Sequence, residues 1–299
     1  MTNKSRFNEN MSDRIFLSFI YFVLIVILVI ISYPLLNVVS SSISSSSAVI
    51  AGRVSIFPVE PTLVAYKTIF GSSKLLLGYL NSIIYTVGGV LVQVTLTVMI
   101  AYPLARKQLY GRGIITALLV FTMFFSGGLI PTYLIVKALG ILDTRWALII
   151  PGALAVFQVI IARTFFQTTV PDELYDAAEL DGSSEFGIFW RIVLPLSKPI
   201  IAVLVLIYAV GNWNAYFDAM IYLNSERLFP LQIILRNILI LNARPGVIIT
   251  DPARMMAMQE MAALLKYALI VVASLPILIF YPFIQKYFVK GMMIGSLKG

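Results

Sequence analysis

Six long runs of apolar residues, separated by polar segments, set the pattern of this chain. They cover residues 15–39, 79–104, 114–136, 146–166, 199–223 and 264–287. A helix rises about 1.5 Å per residue, so about 20 apolar residues cross the hydrocarbon core of a bilayer. The pattern therefore predicts an all-α integral membrane protein with six transmembrane helices in residues 15–288, between a polar segment at 1–14 and a tail at 289–299.

The first run has two interpretations, because a basic start followed by an apolar stretch also fits a cleaved signal peptide. We favour a retained span, since the run is long and no small-residue cleavage site closes it. Prolines and polar residues predict aqueous outer loops at 40–78 and 224–262. Within the first of these loops, the serines at 40–47 are expected to form the solvated end of a span.

The third run is interrupted by Gly127, Gly128 and Pro131, with Tyr133 close behind. Such residues loosen a helix in lipid unless neighbouring helices or a cavity satisfy its backbone. Close helix packing and a place in a translocation pathway both account for them, and Gly127, Gly128 and Tyr133 are candidates for the second.

The fifth apolar run contains a group of polar residues that are candidates for a functional role. An aromatic face suits the C–H groups of a sugar, while amides and a carboxylate suit its hydroxyls, and an ionisable residue in a span marks a functional position by default. The alternative is hydrogen bonding between helices, a common use of asparagine in membranes. The candidate pathway residues are Asn212, Trp213, Asn214, Tyr216 and Asp218.

The stretch at 167–198 differs from everything around it, because it carries six of the fourteen acidic residues and must lie in water. Apolar residues at helical spacing after Pro171 predict a short helix. Gly182 permits a sharp turn, and Ser183 or Ser184 can cap a second short helix that runs to about residue 193. The expected object is an elbow of two short helices.

Composition excludes several classes of protein. Apolar residues make up 60% and charged residues 12% of the chain, which has no cysteine and no histidine, and its net charge of +8 fits basic residues that flank spans. The sequence contains no Gly-Lys-Ser or Gly-Lys-Thr, so it has no P-loop for ATP. We therefore predict no catalytic residues and no metal site. A channel or a secondary transporter stays open as an alternative.

The elbow sequence resembles the "EAA loop" of ABC-importer permeases. The resemblance rests on Asp176-Ala177-Ala178, Asp181-Gly182, Ile192, Leu194-Pro195 and Pro199, and extends over nearly the whole chain to the ending 281–299. The chain is similar to the permeases of maltose-type carbohydrate importers, above all the branch that imports oligosaccharides. Asp176 stands where that family has a glutamate and is one methylene shorter.

This resemblance implies a type I importer fold with a cytoplasmic coupling helix in a groove of the ATPase subunit. It also implies a second, non-identical permease, two ATP-binding subunits that hold ATP and Mg, and an extracytoplasmic sugar-binding protein. No cofactor is expected in this chain itself. The residues that it assigns to the contact with the ATPase are Glu173, Asp176, Ala177, Ala178, Asp181, Gly182, Leu194 and Pro195.

Orientation is not decided by charge alone. Six spans place the N-terminus, the 104–113 loop, the 163–198 loop and the tail on one face, with twelve Lys and Arg there and ten on the other. The elbow resemblance makes the first face cytoplasmic. The expected location is a bacterial inner membrane with both termini in the cytoplasm.

Overall fold

The computed structural model describes residues 11–240, 262–282 and 285, and within these residues all regular secondary structure is helical. We number fourteen helices in chain order: α1 (Met11–Ser42), α2 (Ser46–Ile50), α3 (Val64–Gly71), α4 (Ser73–Ala105), α5 (Arg112–Phe124), α6 (Leu129–Ala138), α7 (Trp146–Ile149), α8 (Val156–Thr169), α9 (Asp172–Leu180), α10 (Glu185–Leu196), α11 (Lys198–Asn214), α12 (Phe217–Tyr222), α13 (Leu231–Ile240) and α14 (Ala262–Pro282). The chain divides into two compact units, residues 1–71 with 238–272 and residues 72–237 with 273–299. The terminal segments predicted at 1–14 and 289–299, much of the 224–262 loop and the end of the last span lie partly or wholly outside the described residues.

Three helices in the described part are long and apolar enough to cross a membrane alone, namely α1, α4 and α14. All three coincide with predicted spans, and α1 and α4 are several residues longer than predicted. Most apolar side chains of α1 are exposed in the chain by itself. A helix that is apolar on all sides is suited to contact with lipid or a partner helix, whereas exposing it to water is unfavourable.

The third and fifth apolar runs are not single helices, which corrects the prediction for both. The third run splits into α5 and α6, bent by 111°, and the fifth run splits into α11 and α12 at residues 215 and 216. The break in the third run contains Gly127 and Gly128, and the positive φ of 86° at Gly128 is a conformation that favours glycine. A further bend of 76°, between α10 and α11, lies at Ser197, just before the fifth run.

The fourth run is also interrupted. Helix α7 stops at Ile149, Pro151 and Gly152 follow, and the chain becomes helical again only in the fourteen residues of α8. Proline cannot donate a backbone hydrogen bond in a helix interior. In the described residues, three helices therefore qualify as spans, or five if each bent pair counts as one, and six continuous spans are not confirmed.

The serines at 40–47 form a buried cluster, so the prediction of a solvated span end is wrong for most of them. Ser40, Ser41, Ser42 and Ser44 are all buried. The Ser42 hydroxyl lies 2.8 Å from the Tyr66 hydroxyl, and the Ser44 hydroxyl accepts from the backbone of Val59 at 3.0 Å. These hydroxyls connect the end of α1 to the loop that follows it and to the start of α3.

Helix α4 is the centre of the second unit. It packs against α8 on one side and α11 on another, and its C-terminal half contributes Val98, Ala101 and Leu104 to the largest buried cluster. That cluster continues through Phe166 of α8 and Leu204 of α11 into both helices of the elbow. The elbow is thus an extension of the same core.

A polar anchor centred on Asp143 holds the chain that follows α12. The carboxylate of Asp143 accepts from the Ser225 hydroxyl at 2.5 Å and from the backbone N–H groups of Ser225 and Asn224 at 2.8 and 2.9 Å. Asp143 has a φ of 55°, a left-handed conformation that aspartate adopts more readily than most residues.

Lowering the pH from 7 to about 3 is expected to loosen this anchor. The Ser225 hydroxyl, then the two backbone donors, hold the pKa of Asp143 below its ordinary value of about 4. A depressed folded pKa means that the stabilisation is present above the ordinary value and is lost as the pH falls through the lower folded value. Hydrogen-exchange protection of residues 222–226 measures this loss. Asp143→Asn should remove the pH dependence, and undiminished wild-type protection at pH 3 would contradict the prediction.

Candidate functional site

The elbow consists of α9 and α10 joined by a turn at residues 181–184. Gly182 has a φ of 75° and its N–H donates to the Glu179 carbonyl at 3.0 Å. The Ser184 hydroxyl caps α10 by accepting from the Gly187 N–H at 3.2 Å. The two predicted helices, the glycine turn and one of the two predicted caps are confirmed, while α10 runs on to Leu196 through a π-helical turn at Phe189–Val193.

Helix α9 has one face toward the core and one face away from it. Tyr175 and Ala178, three residues apart, are buried and belong to the core cluster. Glu173, Asp176, Ala177 and Leu180 are exposed, and Leu180 is 89% exposed. These four positions follow the i, i+3, i+4, i+7 spacing of one helix face.

The remaining predicted coupling residues divide in the same way. Asp181 and Gly182 are exposed at the turn, and Pro195 is exposed near the end of α10. Leu194 is half-buried against the core cluster. Of the paired alanines, Ala178 faces the interior of the chain, so only Ala177 leaves room for another protein to approach closely.

The elbow is attached to the end of α4 by Arg106. Its guanidinium donates to Glu179 at 2.8 Å and to Glu185 at 2.9 Å, and lies 3.9 Å from the centre of the Tyr175 ring. The Tyr102 hydroxyl donates to the other oxygen of Glu185 at 2.8 Å. Burial acts to lower the pKa of Arg106, but the hydrogen bonds and charge of Glu185, followed by Glu179, raise it above its ordinary value. Arg106 therefore stays charged.

Of the candidate pathway residues, Asn212 and Trp213 are engaged within the chain. Asn212 donates to Gln93 at 2.7 Å, and Gln93 donates in turn to the Gly152 carbonyl at 2.9 Å. The indole N–H of Trp213 donates to the Ala273 carbonyl at 2.9 Å, and the ring is buried. These contacts favour interhelical hydrogen bonding, the alternative for both residues.

The other pathway candidates present accessible groups. Asn214, Tyr216 and Asp218 are exposed where the helix breaks between α11 and α12. Gly127 and Gly128 are exposed at the bend between α5 and α6. Tyr133 is half-buried, and its ring stacks 6.3 Å from that of Tyr222.

Gln93→Leu is expected to destabilise the protein by about 1–3 kcal/mol, because it leaves the Gly152 carbonyl and the Asn212 amide without their partner. Thermal unfolding of the purified protein in detergent measures this change. Gln167→Leu is the matched control, since Gln167 is exposed and its single contact, with the Ala105 carbonyl, is long at 3.5 Å. Equal melting temperatures for the two variants would show that the buried amide pair does not stabilise the helix break.

Comparison with known proteins decides the class. Residues 75–294 match the family described as "Binding-protein-dependent transport system inner membrane component". This chain belongs to that family. The match includes the whole elbow and both groups of pathway candidates.

Two Bacillus subtilis (strain 168) members of the family are similar along most of their length. The chain is 46% identical to protein LplC over 266 residues, 89% of each chain. It is 41% identical to the polygalacturonan/rhamnogalacturonan transport system permease protein YtcP over 289 residues, 97% of this chain and 100% of that protein. A solved structure is also similar, a crystal structure of a bacterial ABC transporter involved in the import of the acidic polysaccharide alginate. It has a TM-score of 0.83 and 34% identity, and the match covers 93% of this chain and 98% of that one.

The chain is thus a permease subunit of an ABC importer and an inner membrane component of a binding-protein-dependent transport system. The family is a transport component, so the prediction that the chain is not an enzyme is confirmed to that extent. The alternative of a channel or a secondary transporter is set aside. The described residues contain no group of three or more acidic side chains placed to hold a metal ion.

The sequence pattern did not identify Arg106 and Tyr102 as residues of the site. It assigned Tyr102 to the end of a span and Arg106 to the loop that follows. One signal was available: the basic 104–113 segment has no acid of its own, while the elbow has an excess of acids. Lys107 and Asp172 form a further ion pair between the same two segments.

Proposed function

We propose that this permease imports oligosaccharides as half of a heterodimeric pathway and that its elbow docks in the ATPase subunit. The observation that carries the proposal is the geometry of α9. Its inner face is part of the core, while its outer face presents two carboxylates, a small side chain and an exposed leucine. A leucine that is 89% exposed at the end of a short helix suits a protein partner better than water.

The elbow then transmits the closure of two ATP-binding subunits to the helices. ATP and Mg belong to those subunits, and an extracytoplasmic binding protein supplies the sugar. Closure can shift the pathway between inward-facing and outward-facing states only by the difference in its affinity for the two. Both termini of this chain lie in the cytoplasm in this arrangement, and the fold is that of a type I importer with six spans.

The proposed substrates are oligosaccharides that carry carboxylates. The permease YtcP is named for polygalacturonan and rhamnogalacturonan, and the similar solved transporter imports alginate, described as acidic. As proposed pathway residues, Asn214 and Tyr216 have accessible hydrogen-bonding and aromatic groups, and Gly127 and Gly128 have exposed backbone at the bend between α5 and α6. Asp218 is accessible in the same region as Asn214 and is suited to sugar hydroxyls.

Purification from the native membrane in mild detergent tests the proposal. We expect a second permease, an ATPase subunit and a binding protein in the complex, with ATP hydrolysis stimulated by the binding protein and oligogalacturonate. A neutral malto-oligosaccharide is the matched control for the charge of the substrate. A lone chain that conducts ions in liposomes and shows no associated ATPase would overturn the proposal.

A further inference from the structure

The turn of the elbow does not by itself fix the angle between the two elbow helices. A Cβ placed on Gly182 would meet no atom within 4 Å, so no neighbouring side chain packs against that position. Glycine is also the most conformationally permissive residue. The angle between α9 and α10 must therefore be set by contacts elsewhere.

One side chain contacts both elbow helices. Arg106 lies at the C-terminal end of α4 and binds Glu179 near the end of α9 and Glu185 at the start of α10. The side chain is only 7% exposed, whereas the two carboxylates are 50% and 61% exposed. The cation is thus held inside, between the Tyr175 ring and two carboxylates that reach in from the surface.

The guanidinium group of Arg106 is also suited to this position. A guanidinium has several N–H donors in a fixed plane and stacks on aromatic rings, which a lysine ammonium cannot reproduce in the same way. Tyr102, one helical turn earlier on α4, holds the second oxygen of Glu185 and so orients that carboxylate toward Arg106. By contrast, the neighbouring pair of Lys107 and Asp172 joins two exposed side chains and involves α9 alone.

We propose that Arg106 is a positioning residue for coupling, one that clamps α9 and α10 at a fixed angle and makes the elbow move as one body with α4. Helix α4 packs on α8 and α11, so Arg106 links the elbow to these helices in addition to the core contacts of Tyr175 and Ala178. This inference rests on the proposed function, and it adds that the clamp determines how much of the ATPase movement becomes transport.

The test measures sugar uptake and ATP hydrolysis in parallel, using the complete complex in proteoliposomes. For Arg106→Gln we expect uptake to fall about tenfold, a usual size for coupling between sites, while ATP hydrolysis stays within about twofold of wild type. Arg106→Lys should also raise the ratio of ATP hydrolysed to sugar imported, because charge alone does not restore the clamp. Lys107→Gln is the matched control, since an exposed ion pair contributes little, and its ratio should equal that of wild type.

Glu185→Gln is a second variant that keeps the proposal testable if Arg106→Gln does not fold. The side chain of Glu185 is largely exposed, and glutamine has the same shape. Glu185→Gln should also raise the ratio of ATP hydrolysed to sugar imported, by a smaller factor. The chain has no cysteine, so spin labels at Phe186→Cys and Met99→Cys, both exposed positions away from the outer face of α9, report the elbow-to-α4 distance directly. We expect this distance distribution to broaden in Arg106→Gln.

Two results would overturn the proposal: an unchanged ratio with an unchanged distance distribution, or a parallel loss of uptake and ATP hydrolysis, which indicates a purely structural role. Failure of the proposed function gives a different result. In that case the wild-type complex itself imports no oligosaccharide, whatever residue stands at position 106.

Discussion

Gly182→Pro is expected to abolish uptake while the protein still inserts in the membrane. Proline fixes φ near −65°, whereas Gly182 has a φ of 75°. Proline also lacks the N–H that donates to the Glu179 carbonyl at 3.0 Å. The bend between α9 and α10 cannot form in this variant. Because Gly182 itself is exposed and no atom lies within 4 Å of its Cβ position, the helices of the membrane domain should fold as before.

A graded series at the same position separates backbone conformation from side-chain size. Asparagine adopts a left-handed conformation comparatively easily, so Gly182→Asn should retain most of the uptake. Alanine has a Cβ that costs about 1–2 kcal/mol in this conformation, and Gly182→Ala should lie in between. Uptake of labelled oligosaccharide into cells, with membrane levels of the protein measured by immunoblot, gives the comparison. Normal uptake by Gly182→Pro would show that the bend is not needed for coupling.

The parts of the fold that follow from local sequence were predicted well. Length and apolar content are sufficient for α4, which lacks any charged residue between Lys74 and its end at Ala105. The elbow was also predictable, because a glycine that lies between a helical pattern and a serine cap is typical of a turn joining two helices. Both depend on residues within a few positions of each other.

The parts that depend on distant contacts were not predictable in the same way. Arg106 meets its two carboxylates at sequence separations of 73 and 79 residues. Gln93 satisfies the Gly152 carbonyl at a separation of 59, and that contact makes a helix break tolerable at membrane depth. A hydropathy pattern records neither contact, so the fourth run resembles a continuous span when the sequence is considered alone.

The buried serines illustrate the same limit. Serine is usually exposed, and a run of serines normally indicates a linker. Here Ser42 and Ser44 are buried, and their hydroxyls find partners 24 residues later in α3 and 15 residues later in the loop before it. Buried polar groups are tolerated when they are hydrogen-bonded, and the sequence pattern does not show which later residues supply the hydrogen-bond partners.

Ala177→Trp is expected to release the ATPase subunit from the complex without unfolding this chain. Ala177 lies on the exposed face of α9, so insertion and stability should stay close to wild type. In the proposed docked state the same indole occupies the space of the partner, and overpacking a fitted contact costs about 1–3 kcal/mol or more. Uptake should therefore fall by about tenfold or more.

The neighbouring alanine provides the control. Ala178 is buried in the core cluster beside Tyr175, so Ala178→Trp should destabilise the permease itself and lower its level in the membrane. Co-purification of the ATPase subunit with each variant, normalised to the amount of permease recovered, distinguishes the two effects.

If Ala177→Trp kept a full complement of ATPase, the outer face of α9 could not be the docking surface, and the contact would have to lie elsewhere on the chain. If both variants lost the ATPase only in proportion to their own membrane level, stability alone would account for the pair. The expected result is a normal level of the Ala177 variant with the ATPase missing, because Ala177 is exposed whereas its neighbour Ala178 is buried.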